Sequence, residues 1–367
     1  MYGNIGGAAR VHGVSKWVGI FLFAGALLLA ATPGMAQVKF WRGNGNSGWN
    51  TTSLWSPATA PASTDAICYT NISASNNRSF LRGHYTIDSL SVTGNLSAPH
   101  YLSAESGGSG SNYTLTINGA SANALGGTEA IALSGGTNGS SFSIGGDTAR
   151  GTITLQLGSA SAFGFLAETG ETLIIQGPIT GAAGKDLSFR GPGSLLLSGG
   201  NSFGGASTEF TLHSGTLILN HSNALGAVGN TIIINGGTIS KTVSTFTRMN
   251  NNPHIWSNSF SFAGPQALNI GTGGVDLRAP GIVVDVQSTT VTVQGAMSGG
   301  GVGNGFTKTG SGVLSHGTIA SVFGGVFHIK DGPVWVDTVN NHFASGPLGF
   351  STNAVLLGDA GGTRGQL

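Results

Sequence analysis

The side chains that could do chemistry are few and spread along the chain. Ser315-His316-Gly317 and His328-Ile329-Lys330 bring two imidazoles close to Asp331 and Asp337, residue types that act as acids and bases in glycan cleavage. That reaction needs paired carboxylates flanking one bond. Asp276 and Asp285 fall in separate strand-like runs, so no acidic cluster is expected. The nine His residues are scattered, and His213, His221, His316 and His328 read as turn or surface residues rather than metal ligands. No zinc-protease, nucleophile-elbow, phosphate-loop or EF-hand pattern occurs. Gly299-Gly300-Gly301-Val302-Gly303 precedes no helix and reads as a turn. Ile144-Gly145-Gly146-Asp147 is a lone relative of the calcium nonapeptide. Neither a catalytic residue nor a cofactor nor a metal is expected. A different chemistry is offered by Trp41, Trp49 and Trp55, whose indole faces could stack on sugar rings. The competing reading makes them the aromatic cap on the first layer of a stacked fold.

The elements that would hold these residues follow from composition. The chain has 367 residues, 64 of them Gly, with 15 Lys and Arg, 14 Asp and Glu, and 39% hydrophobic residues. So much Gly disfavours helices, each costing about 0.5–1 kcal/mol relative to Ala in a helix interior. There is no strict Gly-X-Y period and Pro is only 11, which excludes collagen. A formal net charge of +1 with this many apolar residues excludes charged disorder. A neutral β protein with Gly, Asn and Ser turns is left. Cys68 is alone, so no intramolecular disulfide is available, and it reads as a small buried residue.

Residues 1–36 have the three parts of a signal peptide: Arg10 and Lys16, the apolar run Trp17 to Ala31, and small residues at Gly34-Met35-Ala36. Cleavage after Ala36 would leave 13 basic against 14 acidic residues, a net charge of −1, so no nucleic-acid partner is expected. No later segment is apolar enough to span a membrane. Secretion or display at the cell surface follows as the expected localisation.

Past about residue 110, short alternating runs recur between Gly and Asn. They include Tyr113 to Ile117, Gly151 to Leu157, Thr172 to Ile175, Thr216 to Leu219, Thr231 to Ile234, Gly281 to Val286 and Thr290 to Val293. Such β-branched runs of four to seven residues are strand signals, and strict alternation places Val291 and Val293 inside.

Two stretches repeat one another. Gly191-Pro192-Gly193-Ser194-Leu195 leads through Asn201-Ser202-Phe203-Gly204-Gly205 to Gly215-Thr216-Leu217, and Gly310-Ser311-Gly312-Val313-Leu314 leads through Phe323-Gly324-Gly325 to Gly332-Pro333-Val334. The copies finish with Leu225-Gly226 and Leu348-Gly349, and Asn123-Ala124-Leu125-Gly126 is an earlier echo. These residues resemble the autotransporter-associated β-strand repeat, also called the passenger-associated transport repeat. The copy from Gly191 is close. The copy from Gly310 departs at Ser315 to Ala320, where Leu-x-Leu-Ser-Gly-Asn is expected. The resemblance covers roughly residues 110–350.

The expected fold is all-β, a right-handed parallel β-helix with an N-terminal cap region. The expected divisions are a signal peptide over 1–36, a Trp-rich cap over 37–103, the β-helix over 104–350 with repeats near 187–226 and 306–349, and an unfinished segment over 351–367. The resemblance implies a secreted, non-enzymatic, passenger-like surface protein of a Gram-negative-type bacterium, a stalk or adhesin whose repeats aid folding and export. Implied partners are outer-membrane export machinery and surface glycans. No membrane barrel is recognisable before Leu367, so either the chain is a fragment or another component exports it. The alternative is a carbohydrate-binding or polysaccharide-cleaving β-helix. Ser315-His316-Gly317 and His328-Ile329-Lys330 resemble the His-Gly and Arg-Ile-Lys elements of polygalacturonases, with His328 in place of the Arg and without the Asp cluster.

Overall fold

The computed structural model describes residues 37–43, 47–70, 78–94, 99–105, 111–119, 123–135, 140–145, 151–299, 303–341, 344–350 and 355–367. The expected signal peptide, Asp147 and the middle of the Gly299 to Gly303 turn lie outside them.

The alternating runs form strands. Tyr113–Ile117, Ile153–Leu157, Thr172–Ile175, Thr216–Leu219, Thr231–Ile234, Ile282–Val286 and Thr290–Thr292 are all β, and Val291 and Val293 are buried. The strands assemble into sheets of 12, 13, 4 and 5 strands. Among the described residues all pairs of strands are parallel except Val38–Trp41 with Trp55–Ser56, and a single antiparallel bridge joins Ser321 and Gly346. Consecutive strands enter different sheets: Asp186–Arg190 is in the 12-stranded sheet, Ser194–Leu197 in the 13-stranded sheet, and Glu209–Leu212 returns to the first. The chain is a parallel β-helix. Its coils advance by 22 or 23 residues in this region, as from Leu195 to Leu217 and from Leu187 to Phe210.

Register turns alternation into continuous ladders. Leu195, Leu217, Ile239 and Phe262 are successive partners on one face, and Phe189, Leu212, Ile234, Trp256 and Leu277 on another. All are buried. Each such side chain contributes about 1.5–3 kcal/mol of hydrophobic stabilisation, realised only when the coils on both sides are present.

The boundary expected at residue 103 is not a structural one. Ala66–Tyr69 and Ser89–Thr93 run into Glu129–Ser134 in the same 12-stranded sheet, so residues from Val38 on are the first coils of the helix. Coil length varies here: Ile67 pairs Leu90, an advance of 23 residues, whereas Leu90 pairs Ile131 and Tyr113 pairs Ile153, advances of 41 and 40. Cap character is confined to the start, where the antiparallel Trp55–Ser56 strand covers the free edge of Val38–Trp41. An exposed edge of that kind would otherwise template pairing with other chains.

The two repeat copies close the same contacts. Phe203 and Phe323 are fully buried, and in the next coil the Ala227 and Phe350 amides donate to their carbonyls at 3.0 and 2.9 Å. The Leu-Gly pairs make a turn above the aromatic ring, with Gly226 donating to Asn223 and Gly349 to Gly346. A Cβ on Gly226 would sit 2.9 Å from the Phe203 ring, and one on Gly349 2.7 Å from the Phe323 ring, so the repeat requires Gly there. At the corner between the two large sheets, Gly215 has φ 75° and its missing Cβ would lie 2.3 Å from the Gly191 carbonyl. The early echo keeps the turn, Gly126 to Asn123 at 2.9 Å, but Leu125 is exposed where Leu225 and Leu348 are buried.

Asn201 shows why the motif carries an amide. It is buried, accepts from the Ile179 amide one coil earlier at 2.7 Å, and donates to the Ala224 carbonyl one coil later at 2.6 Å. In the second copy Ser321 stands two residues before Phe323 and accepts from the Met297 amide at 2.9 Å, taking over half of that task. Asn201→Leu is expected to strand both backbone groups and to destabilise by about 2–4 kcal/mol. Urea melts read this directly, and a cost under about 1 kcal/mol would contradict the bridging role.

Candidate functional site

Trp41, Trp49 and Trp55 do not form a sugar platform. They are 6%, 0% and 2% exposed, and their rings pack on one another, on Tyr69 and on Tyr85 at centroid distances of 4.8–6.1 Å. Trp49 Nε1 donates to Tyr69 Oη and Trp55 Nε1 to the Trp49 carbonyl, both at 2.9 Å. The antiparallel return folds these indoles over the end of the core, which uses up their faces. Cys68 is buried as expected.

The residues singled out for acid–base chemistry are held in structural roles. His316 is a correction to the turn or surface reading: it is 2% exposed. A carbonyl can only accept, so Nδ1 carries the proton and donates to the Val293 carbonyl at 3.0 Å, leaving Nε2 to accept from Ser321 Oγ at 2.8 Å. Ser321 thus relays between Met297 and His316, and burial pushes the imidazole pKa down despite the Val293 hydrogen bond. His213 is exposed, and half-buried His328 bonds the Gly358 carbonyl at 2.8 Å. Asp276 pairs with Arg278 at 2.8 Å on the first sheet. Asp285 accepts from Thr309 Oγ1 at 3.1 Å on the second, and Asp331 caps the Gly332 amide at 2.9 Å.

Lys308 is a buried cation in a core ladder between Val284 and Ile329. Its Nζ donates to the Gly310 carbonyl and, at 2.7 Å, to the Asp331 carbonyl. Burial lowers its pKa to about 8, with Asp331 and Asp285 opposing. Among the described residues no group of three His, Cys, Asp or Glu side chains could hold a metal ion, and no helix is long and apolar enough to cross a membrane.

One surface feature with a binding geometry is an open groove lined by Arg248, Thr272, Gln294, Gly317, Thr318, Ile319 and Asp337. Backbone bonds from Met249 to Asn269, Ile270 to Thr292, Val293 to Ser315 and His316 to Trp335 show that these residues come from five successive coils. At about 4.8 Å per coil the groove runs about 19 Å along the stack. Arg248 stands at one end and Asp337 at the other. Hydroxyls, an amide, the Ile319 side chain and backbone fill the interval.

Beside the groove lies the outward column Asn269, Thr292, Ser315 and Trp335, set by strand register. Trp335 is 59% exposed, while its neighbour Val334 is buried. Trp335 is the last residue of its strand, and Asp337, which lines the groove, follows two residues later on the same coil. Sequence reasoning passed over Trp335, Arg248 and Gln294, although the alternation Val334-in, Trp335-out was there to be read.

Fold and site together define a parallel β-helix with an open, mainly neutral groove crossing its coils. No protein-family model, no curated protein and no solved structure matches the chain.

Proposed function

We propose that the chain is an exported, non-enzymatic β-helical surface protein of passenger type, with the stack as stalk and the groove as its adhesive face. One observation carries most of the weight: repeats resembling the autotransporter-associated unit make the same contacts to the next coil at Phe203 and at Phe323. A coil of this kind gains its burial and its backbone bonds only from a neighbour already in place, so folding can proceed coil by coil from one end. That property suits a chain emerging from a membrane pore, and outer-membrane export machinery is the corresponding partner. The near-neutral charge, with basic and acidic residues almost balanced, supports a surface role over nucleic-acid binding.

The test is localisation in a Gram-negative host producing the full chain with its own N-terminus. The expected result is a mature N-terminus at Gln37 and digestion by protease added to intact cells. Cytoplasmic protein retaining residues 1–36 would overturn the proposal.

A further inference from the structure

The geometry points to a binding site for an extended, neutral, β-linked glycan along the groove from Arg248 to Asp337, with the Trp335 indole as its stacking platform. The inference deepens the adhesive reading, on which it rests for its biological setting, by assigning the chemistry of the target.

The spacing fits first. One coil occupies about 4.8 Å along the stack, close to the advance of one pyranose in an extended chain. Successive sugars would therefore lie over segments from successive coils. The donors and acceptors fit next. Thr272, Gln294 and Thr318 offer hydroxyl and amide groups.

Trp335 supplies the apolar half of the recognition. Its column neighbours Ser315, Thr292 and Asn269 are small polar residues, and the indole is exposed beside them. β-linked hexoses with equatorial hydroxyls present a flat C–H face that an indole covers well, and the polar edge is left for the groove. Charge selects against acidic polymers. Arg248 and Asp337 leave the groove without net charge, and Asp337, on the coil that carries Trp335, would repel a uronate stacked on the indole. A nucleic acid would need several cations along the groove, and among the described residues Arg248 is the only one lining it.

The experiment is calorimetric titration of the purified chain with cellohexaose, laminarihexaose and hexagalacturonate, repeated for Trp335→Ala, Trp335→Phe and Gln294→Ala. At least one neutral hexaose is expected to bind. Its affinity should fall at least tenfold in Trp335→Ala and severalfold in Gln294→Ala, and should largely return in Trp335→Phe. Hexagalacturonate should bind at least tenfold more weakly. Unchanged melting temperatures for these exposed or rim substitutions establish that folding is intact. Failure of both neutral hexaoses to bind, full binding by Trp335→Ala, or tighter binding of hexagalacturonate would each overturn the assignment. Because the titration uses purified protein, its outcome is independent of whether the chain is exported.

Discussion

Leu217→Asp is expected to destabilise the protein by more than about 4 kcal/mol, an exceptional cost for one substitution. Leu217 is fully buried, with Leu195 one coil below and Ile239 one coil above. A carboxylate there meets only hydrocarbon along the ladder. Truncation alone, as in Leu217→Ala, would remove about 2–5 kcal/mol through lost transfer energy and the cavity left behind. The charge adds a desolvation penalty that no nearby cation offsets in that ladder. The effect reaches beyond one coil, because the stability of a solenoid is nearly a sum of coil terms and nearest-neighbour interfaces. Damage at Leu217 weakens two interfaces at once, so the thermal transition should broaden or split as well as fall. The control is Thr216→Asp, one residue away and pointing outward between Ser194 and Thr238, where a change within about 0.5 kcal/mol is expected. Equal melting curves for Leu217→Asp and the wild-type protein would refute the inward assignment.

The contrast between positions 216 and 217 was legible in the sequence, because strand alternation is a local property. β-branched runs bounded by Gly fixed strand positions, and the recurrence of Phe-Gly-Gly and Leu-Gly fixed which corners repeat. What could not be read was anything that depends on register between coils. Trp41, Trp49 and Trp55 look equally suited to stacking on sugars or capping a core, and only the antiparallel return of Trp55–Ser56 decides in favour of burial. Arg248 and Asp337 are far apart in sequence yet line one groove, since each coil contributes one short segment to it. Polar residues in core positions were the other blind spot. Alternation from Phe306 places Lys308 inward, against its charge, and the side chain is tolerated because Nζ reaches the carbonyls of Gly310 and Asp331 at the coil corner. His316 is inside with both ring nitrogens bonded, to the Val293 carbonyl and to Ser321, which stands where the first copy has Asn201.

Two buried imidazoles of this kind make the folded protein sensitive to acid. His254 continues the ladder that runs from Ile232 to Val275, and burial pushes its pKa down to about 4, with a hydrogen bond to the Ile270 carbonyl opposing part of the shift. His316 is shifted in the same direction for the same reason. In the unfolded chain both take up a proton near the ordinary value of about 6.5. As the pH falls below that value the unfolded state binds protons that the folded state refuses, so stability drops from about pH 6.5 downward, and the His254 contribution levels off once the pH passes about 4. Above about pH 7.5 both groups are neutral in either state and the full stability is present. The His254 share of the loss is on the order of 3 kcal/mol. Leu in place of His254 matches the apolar neighbours on both sides, so His254→Leu should melt higher than wild type at pH 4.5, and the gap between the two should shrink by pH 7.5. Melting temperatures at pH 7.5, 5.5 and 4.5 for both proteins decide the matter, since a wild-type pH slope that survives intact in His254→Leu would mean that this imidazole does not titrate across the folding transition.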